Sequence, residues 1–320
     1  QGIDLFSVAS DLDVTVEVSG SADITGNTNI TSDAVDAYEV ADDQELTLTA
    51  AQAAAVEVTA TGDSGSGTTR ITDIGSATGA DLAGIATDVT VDLSSGDATL
   101  SSSAKLGGEA LDVIGGVSGD ERVLDVSALS GDFSISGDTT VDEFNTLRLT
   151  AAQASGRDLN GSGDVVIEEL STDPSTDLTN VDASLDLLVE VDANSDITGN
   201  TTINNTNVDT YEFVGDAVLT LTAEQADEVS VTESGGSSGT TTVTELDDRL
   251  GAKLAGIESD LTVDLSSGDA TLESGATIGD VNLDVTGGAS GDARTLDVSE
   301  MSGDNFGVTS TETITVDDYN

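Results

Sequence analysis

Residues 90–100 read TVDLSSGDATL, and residues 262–272 read the same letters again. Within this stretch Val91 and Leu93 alternate with Thr90 and Asp92, the period-two pattern of a strand with one buried face. The Ser-Gly-Asp that follows is turn chemistry. A strand and its turn, copied letter for letter, make the chain an array before they make it a domain. Other stretches obey the same offset of about 172–175 residues. Asp-Ile-Thr-Gly-Asn at 23–27 returns at 196–200, and Leu-Asp-Val-Ser at 124–127 returns at 296–299.

A shorter period lies inside the long one. The spacing Leu-x-x-Ile/Val-x-x-x-Leu/Val-x-Val/Leu-x-Val/Leu begins at Leu5, Leu82, Leu178 and Leu254. It reads Leu5, Val8, Leu12, Val14, Val16 in its first copy and Leu82, Ile85, Val89, Val91, Leu93 in its second. The chain therefore divides into a first long repeat at 1–177, with sub-units about 5–81 and 82–177, and a second at 178–320, with sub-units about 178–253 and 254–320. A second block precedes three of the starts: LTLTAAQA at 46–53, LRLTAAQA at 147–154 and LTLTAEQA at 219–226. An aromatic residue stands ahead of each (Tyr38, Phe144, Tyr211 and Phe213). Residues 317–320, DDYN, match 142–145, DEFN, so the pattern predicts a further Thr-Leu-x-Leu-Thr-Ala-x-Gln-Ala after Asn320.

The strands are short and separated by Ser-Gly-Asp, Thr-Gly-Asn and Gly-Gly clusters. No long helical stripe occurs. Thr-Ala-Ala-Gln-Ala suits one helical turn, with Thr as N-cap and Ala as the strongest helix former, and residues 247–257 suit another. The expected fold is all-β, a repetitive β-solenoid with short helical turns; the alternative is a string of tandem β-sandwich domains. Core chemistry favours the solenoid. A sandwich seats large aromatics between its sheets, and this chain has 5 Phe, 3 Tyr and no Trp. Stacked coils need only Val, Ile, Leu and Ala.

Sixty-two Asp and Glu face 8 Lys and Arg, for a net charge of −54. Such a surface repels nucleic acid and anionic lipid and attracts divalent cations. Acidic chains poor in aromatics are often disordered, but here 37% of residues are hydrophobic, they alternate in register, and there is 1 Pro. Cysteine is absent, so no disulfide framework exists. No apolar run approaches the roughly 20 residues of a membrane-spanning helix. The start at Gln1, without Met or a signal segment, reads as a processed product or an excerpt.

The LTLTAAQA blocks, the Asp-Leu-x-x-Ile pattern after them and the Asp/Thr/Gly-rich filling resemble the tandem arrays of giant secreted bacterial surface proteins. That resemblance covers essentially the whole chain. It implies an extracellular or cell-surface location and a role in an adhesin stalk, a surface layer or a filament.

Catalytic chemistry has little to work with. Without His or Cys a nucleophile has few bases, and the two lysines, Lys105 and Lys253, stand in no Ser-x-x-Lys context. The expectation is that the chain is not an enzyme. Calcium is the cofactor that fits best, since it takes six to eight oxygens from carboxylates, carbonyls and water. Its candidate ligands are Asp92, Asp97, Asp120 and Asp125, with their copies Asp264, Asp269, Asp292 and Asp297. Calcium-binding nonapeptide solenoids repeat Gly-Gly-x-Gly-x-Asp. Here Gly115-Gly116-Val117-Ser118-Gly119-Asp120 and its copy at 287–292 miss that spacing by one and occur once per long repeat. Bland solvated turn carboxylates are the competing reading. The pairs Thr47/Thr49, Thr220/Thr222 and Thr242/Thr244 raise ice binding, but threonine is also an ordinary solvent-face strand residue. The expected partners are copies of the chain itself and divalent cations, with no nucleic acid and no membrane insertion. The expected function is structural; an adhesin-type module that grips a surface or glycan is the alternative.

Overall fold

The computed structural model describes residues 12–27, 30, 34–62, 66–129, 133–170, 175–279, 281–301, 305–307, 313–318 and 320. Leu5, Val8, Pro174 and Tyr319 lie outside them. The chain forms two compact units, one of residues 1–149, 157–165 and 180–185, the other of 150–156, 166–179 and 186–320. Each is a parallel β-solenoid. Among the described residues the turns number about 12, with 43% strand and 7% helix.

In the first unit the main sheet runs Ala22–Asp23, Glu45–Thr49, Thr68–Thr72, Asp88–Asp92, Leu111–Ile114, Thr139–Val141, Leu159–Gly161. Neighbours in that sheet pair in parallel, each strand one coil later than the last. A sandwich built of hairpins would pair antiparallel. The second unit repeats the arrangement with Ser195–Asp196, Val218–Thr222, Thr240–Thr244, Asp260–Asp264, Leu283–Thr286 and Ile314–Val316.

The apolar spacing read from the sequence encodes the sides of one coil. Asp81–Leu82 pairs in one sheet, Ile85–Ala86 in a second and Asp88–Asp92 in the main sheet. Leu82, Ile85, Val89, Val91 and Leu93 all point inward and are buried. Because register repeats every coil, inward residues stack in columns. Leu48, Ile71, Val91, Val113 and Val141 form one, each fully buried. Each such side chain removed from water contributes about 1.5–3 kcal/mol, and the narrow interior needs no large aromatic to fill it.

Two buried aromatics are nevertheless placed identically in the two units. Tyr38 and Tyr211 are 1% and 0% exposed, and neither hydroxyl has a hydrogen-bond partner among the described residues. Burial pushes the Tyr38 phenol up to about 12 and raises Tyr211 further still, so both stay neutral.

The helical turn expected at Thr-Ala-Ala-Gln-Ala forms in all three places, as Ala50–Ala53, Ala151–Ala154 and Ala223–Ala226. The one expected at 247–257 does not extend that far. A 3-10 turn covers Leu246–Asp248, and Lys253–Leu254 is already a strand. Gly251 separates the two, and Leu254 and Ile257 are wanted on two inner faces of the coil, as Leu82 and Ile85 are.

Candidate functional site

The Thr-Ala-x-Gln-Ala motif forms a lock between coils in both units. In each Thr-Ala-x-Gln-Ala turn the Thr hydroxyl accepts from the Gln N–H, and the Gln carboxamide oxygen accepts from the Thr N–H. In the second unit these bonds are 3.2 Å (Gln225 to Thr222 Oγ1) and 2.9 Å (Thr222 to Gln225 Oε1). This capping box satisfies two orphan donors of the turn and fixes the Gln side chain. The carboxamide nitrogen is then aimed at the preceding coil. Gln225 Nε2 donates to the carbonyls of Ile197, Asn200 and Ile203 at 2.8, 2.8 and 3.1 Å. Gln52 Nε2 does the same to Ile24, Asn27 and Ile30 at 2.9, 3.2 and 3.4 Å. The sequence separations are 28, 25 and 22 residues in both units. Both glutamines are buried.

The Asp-Ile-Thr-Gly-Asn motif is the other half of the lock. The Thr198 N–H and hydroxyl donate to Asp196 Oδ1 at 3.1 and 2.8 Å, and Thr25 does so to Asp23 at 3.0 and 2.7 Å. The resulting Asx turn presents inward the carbonyls that the Gln takes. Neither motif suggests the other in the sequence, because they lie on successive coils.

Each of the eight candidate calcium ligands has a partner in its own turn or on another coil. Asp92 and Asp264 accept the N–H of Ser94 and Ser266, each at 2.9 Å. Asp97 and Asp269 reach to another coil and accept from Val123 and Thr295 at 3.1 and 2.8 Å. Asp120 and Asp292 pair with Arg122 and Arg294 at 2.5 and 2.9 Å. Asp125 and Asp297 accept from Ser127 and Ser299 at 3.0 and 2.9 Å. Among the described residues no group of three or more His, Cys, Asp or Glu side chains converges to hold a metal ion.

The Gly-Gly doublets have a steric task that the calcium-loop comparison did not suggest. Gly115 and Gly287 have φ of +111° and +100°. A Cβ on Gly287 would fall inside contact distance of Ser266 N and 2.5 Å from Asp264 Oδ1; on Gly115 it would meet Ser94 N and lie 2.8 Å from Asp92 Oδ1. The backbone thus passes directly against the Asx turn of another coil, an approach only glycine permits.

Hydrogen bonding sets the acid behaviour of these turns. The hydroxyl and then the N–H two residues on lower Asp23, Asp177 and Asp297. Burial pulls Asp92 up, but Arg70 and Ser94 together outweigh it and leave the carboxyl low. Asp112 is raised, by desolvation first and then by the charges of Asp142 and Asp88. The lowered groups contribute stability that is present above about pH 4 and lost as pH falls through their folded values. Asp112 has the opposite sign and gains stability on acidification, as does general relief of a −54 charge. Melting temperature, followed by circular dichroism, is therefore expected to rise from pH 7 to a maximum near pH 4–5 and fall below it. A monotonic decline from pH 7 contradicts this account.

One constellation belongs to the second unit alone. Asp227 and Arg249 form an ion pair there, and the matching positions in the first unit are Ala54 and Ala77. Beside the pair a cavity of about 420 Å³ is lined by Glu224, Glu245, Asp248 and the Asn/Thr-rich 200–206 loop. Positions 51, 73 and 76, which match Glu224, Glu245 and Asp248, hold Ala, Asp and Ser.

Fold and turns together define a parallel β-solenoid repeat protein. Comparison with protein-family models, curated proteins and solved structures finds no match for the chain. Among the described residues no helix is long and apolar enough to cross a membrane.

Proposed function

We propose that the chain is a structural repeat protein of the extracellular space or cell surface, a length of filament, sheath, surface layer or adhesin stalk. The observation that carries this reading is the Gln lock, since side chains repeated in both units bind one coil to the next. The absence of cysteine, the acidic surface and the resemblance to secreted bacterial surface arrays agree with it. Its mechanism is assembly, because a solenoid's end coils offer unpaired strand edges to a further coil. Negative-stain electron microscopy of the purified chain tests it: elongated assemblies support the reading, and short monodisperse particles at every ionic strength overturn it.

Charge is managed partly by sequence. Across the outer face of the first unit Asp23, Thr47, Arg70, Thr90, Asp112 and Thr140 stand in one row, so Thr or Arg separates the carboxylates. The second unit's row is Asp196, Thr220, Thr242, Thr262, Asp284 and Thr315. Like charges do meet at Glu17/Glu39 and at Glu190/Glu212, which repels across the strand pair. Cations act here by screening. Sodium chloride is therefore expected to raise the melting temperature, and to restore any loss that a chelator causes. A chelator-induced loss that only calcium reverses would show specific calcium sites instead.

The cavity beside the Asp227–Arg249 pair favours a second reading, an adhesin module that binds a polar ligand such as a glycan. A glycan-array screen in which binding disappears in Glu224→Ala and Arg249→Ala supports that role. Binding that survives both changes removes the cavity from it.

A further inference from the structure

The last strand of the second unit leaves apolar residues uncovered. Ile314 and Val316 are 51% and 52% exposed, and Leu296 and Val298 are half-buried. Between them lies a cavity of about 370 Å³ that also takes in Leu283 and Phe306. The first unit contains the same face already closed. There Val141, Leu124 and Val126, which match Val316, Leu296 and Val298, are fully buried. The closing strands are Asn145–Thr150, which sets Leu147 opposite Leu124 and Arg148 opposite Asp125, and Leu159–Gly161, which pairs with Thr139–Val141.

The uncovered face is already shaped as the covered one is. In the first unit the start of the closing strand is seated by Gly116 N–H donating to Asn145 Oδ1 at 2.9 Å. In the second, Gly288 N–H donates to Asn320 Oδ1 at 2.8 Å. We propose that the Leu296/Ile314/Val316 face docks a coil carrying the Leu-x-Leu-Thr-Ala-x-Gln-Ala block, with a basic residue between the two leucines, added in parallel register. Strand addition supplies the partners that the edge strands Leu296–Asp297 and Ile314–Val316 lack on that side among the described residues. A leucine then meets Leu296. The basic residue meets Asp297, the half-buried copy of Asp125. Charge chooses between the blocks: residues 147–149 read Leu-Arg-Leu, whereas 46–48 and 219–221 read Leu-Thr-Leu.

This inference rests on the structural reading above and names the partner of one face. The test uses the full chain and a fluorescein-labelled peptide of residues 145–170, NTLRLTAAQASGRDLNGSGDVVIEEL, titrated by fluorescence anisotropy. Saturable binding is expected, weakened about tenfold or more by Val316→Asp in the chain. Val316 is half-exposed, so that variant retains its fold, which circular dichroism verifies. Arg148→Glu in the peptide is expected to weaken binding to the native chain and to matter much less against Asp297→Asn. No saturable binding, or equal binding by Val316→Asp, overturns the proposal. So does self-association, seen by sedimentation, that Val316→Asp abolishes and the peptide does not displace, since the face would then belong to a second copy. Peptide binding without elongated assemblies refutes the filament reading alone, and assemblies that persist in Val316→Asp refute this inference alone.

Discussion

Replacing Gln225 by Glu is expected to cost about 3–5 kcal/mol at neutral pH, more than Gln225→Ala at about 2–3 kcal/mol. Both changes remove the donor shared by the carbonyls of Ile197, Asn200 and Ile203. Alanine takes the Gln donor away from those carbonyls in a site where Gln225 is 5% exposed, although Ile197 O keeps the Asn200 N–H. Glutamate is nearly isosteric and does worse, because it points an ionised oxygen at them. Its carboxylate still accepts from Thr222 N–H, so the cap survives while the lock fails. Protonation restores one donor, and the Glu variant is expected to recover part of its loss on acidification while the Ala variant does not. Thermal melts at pH 7 and pH 4.5 check the ordering, and hydrogen exchange across residues 197–208 locates it. Wild-type stability in Gln225→Glu contradicts the lock.

Gly287→Ala is expected to cost about 3 kcal/mol or more. Two penalties combine: a backbone at φ +100°, and a Cβ placed against Ser266 N and Asp264 Oδ1. Gly291 separates them. It has φ +89°, but a Cβ there would meet nothing within 4 Å, so Gly291→Ala carries only the backbone strain of about 1 kcal/mol. Denaturant unfolding of the two variants should show Gly287→Ala as clearly the worse. Equal effects contradict the close approach between coils.

The solenoid was legible because one coil is written in one apolar spacing. Leu82, Ile85, Val89, Val91 and Leu93 fall on successive inner faces, and the scarcity of aromatics told against a sandwich. The helical turn of Thr-Ala-x-Gln-Ala was legible for local reasons, a cap followed by alanines. Its purpose was not, because the carbonyls that Gln52 and Gln225 take belong to the coil before. The carboxylates were legible as turn residues but not in their employment. A signal was available: Asp stands two residues before Ser or Thr at Asp23, Asp92, Asp125, Asp177, Asp182, Asp196, Asp264 and Asp297. That spacing writes an Asx turn, whose bonds close within the turn. Repetition itself hid the remaining piece, the Asp227–Arg249 pair, which only one copy carries.

The central claim is that coils stack in parallel, locked one to the next, and that this stacking continues into an assembly. Diffraction from oriented assemblies of the purified chain tests it most directly. A reflection near 4.8 Å along the long axis of the assembly is expected, the spacing of strands stacked coil on coil. Assemblies whose 4.8 Å reflection lies across that axis, or a chain that forms none, would contradict it.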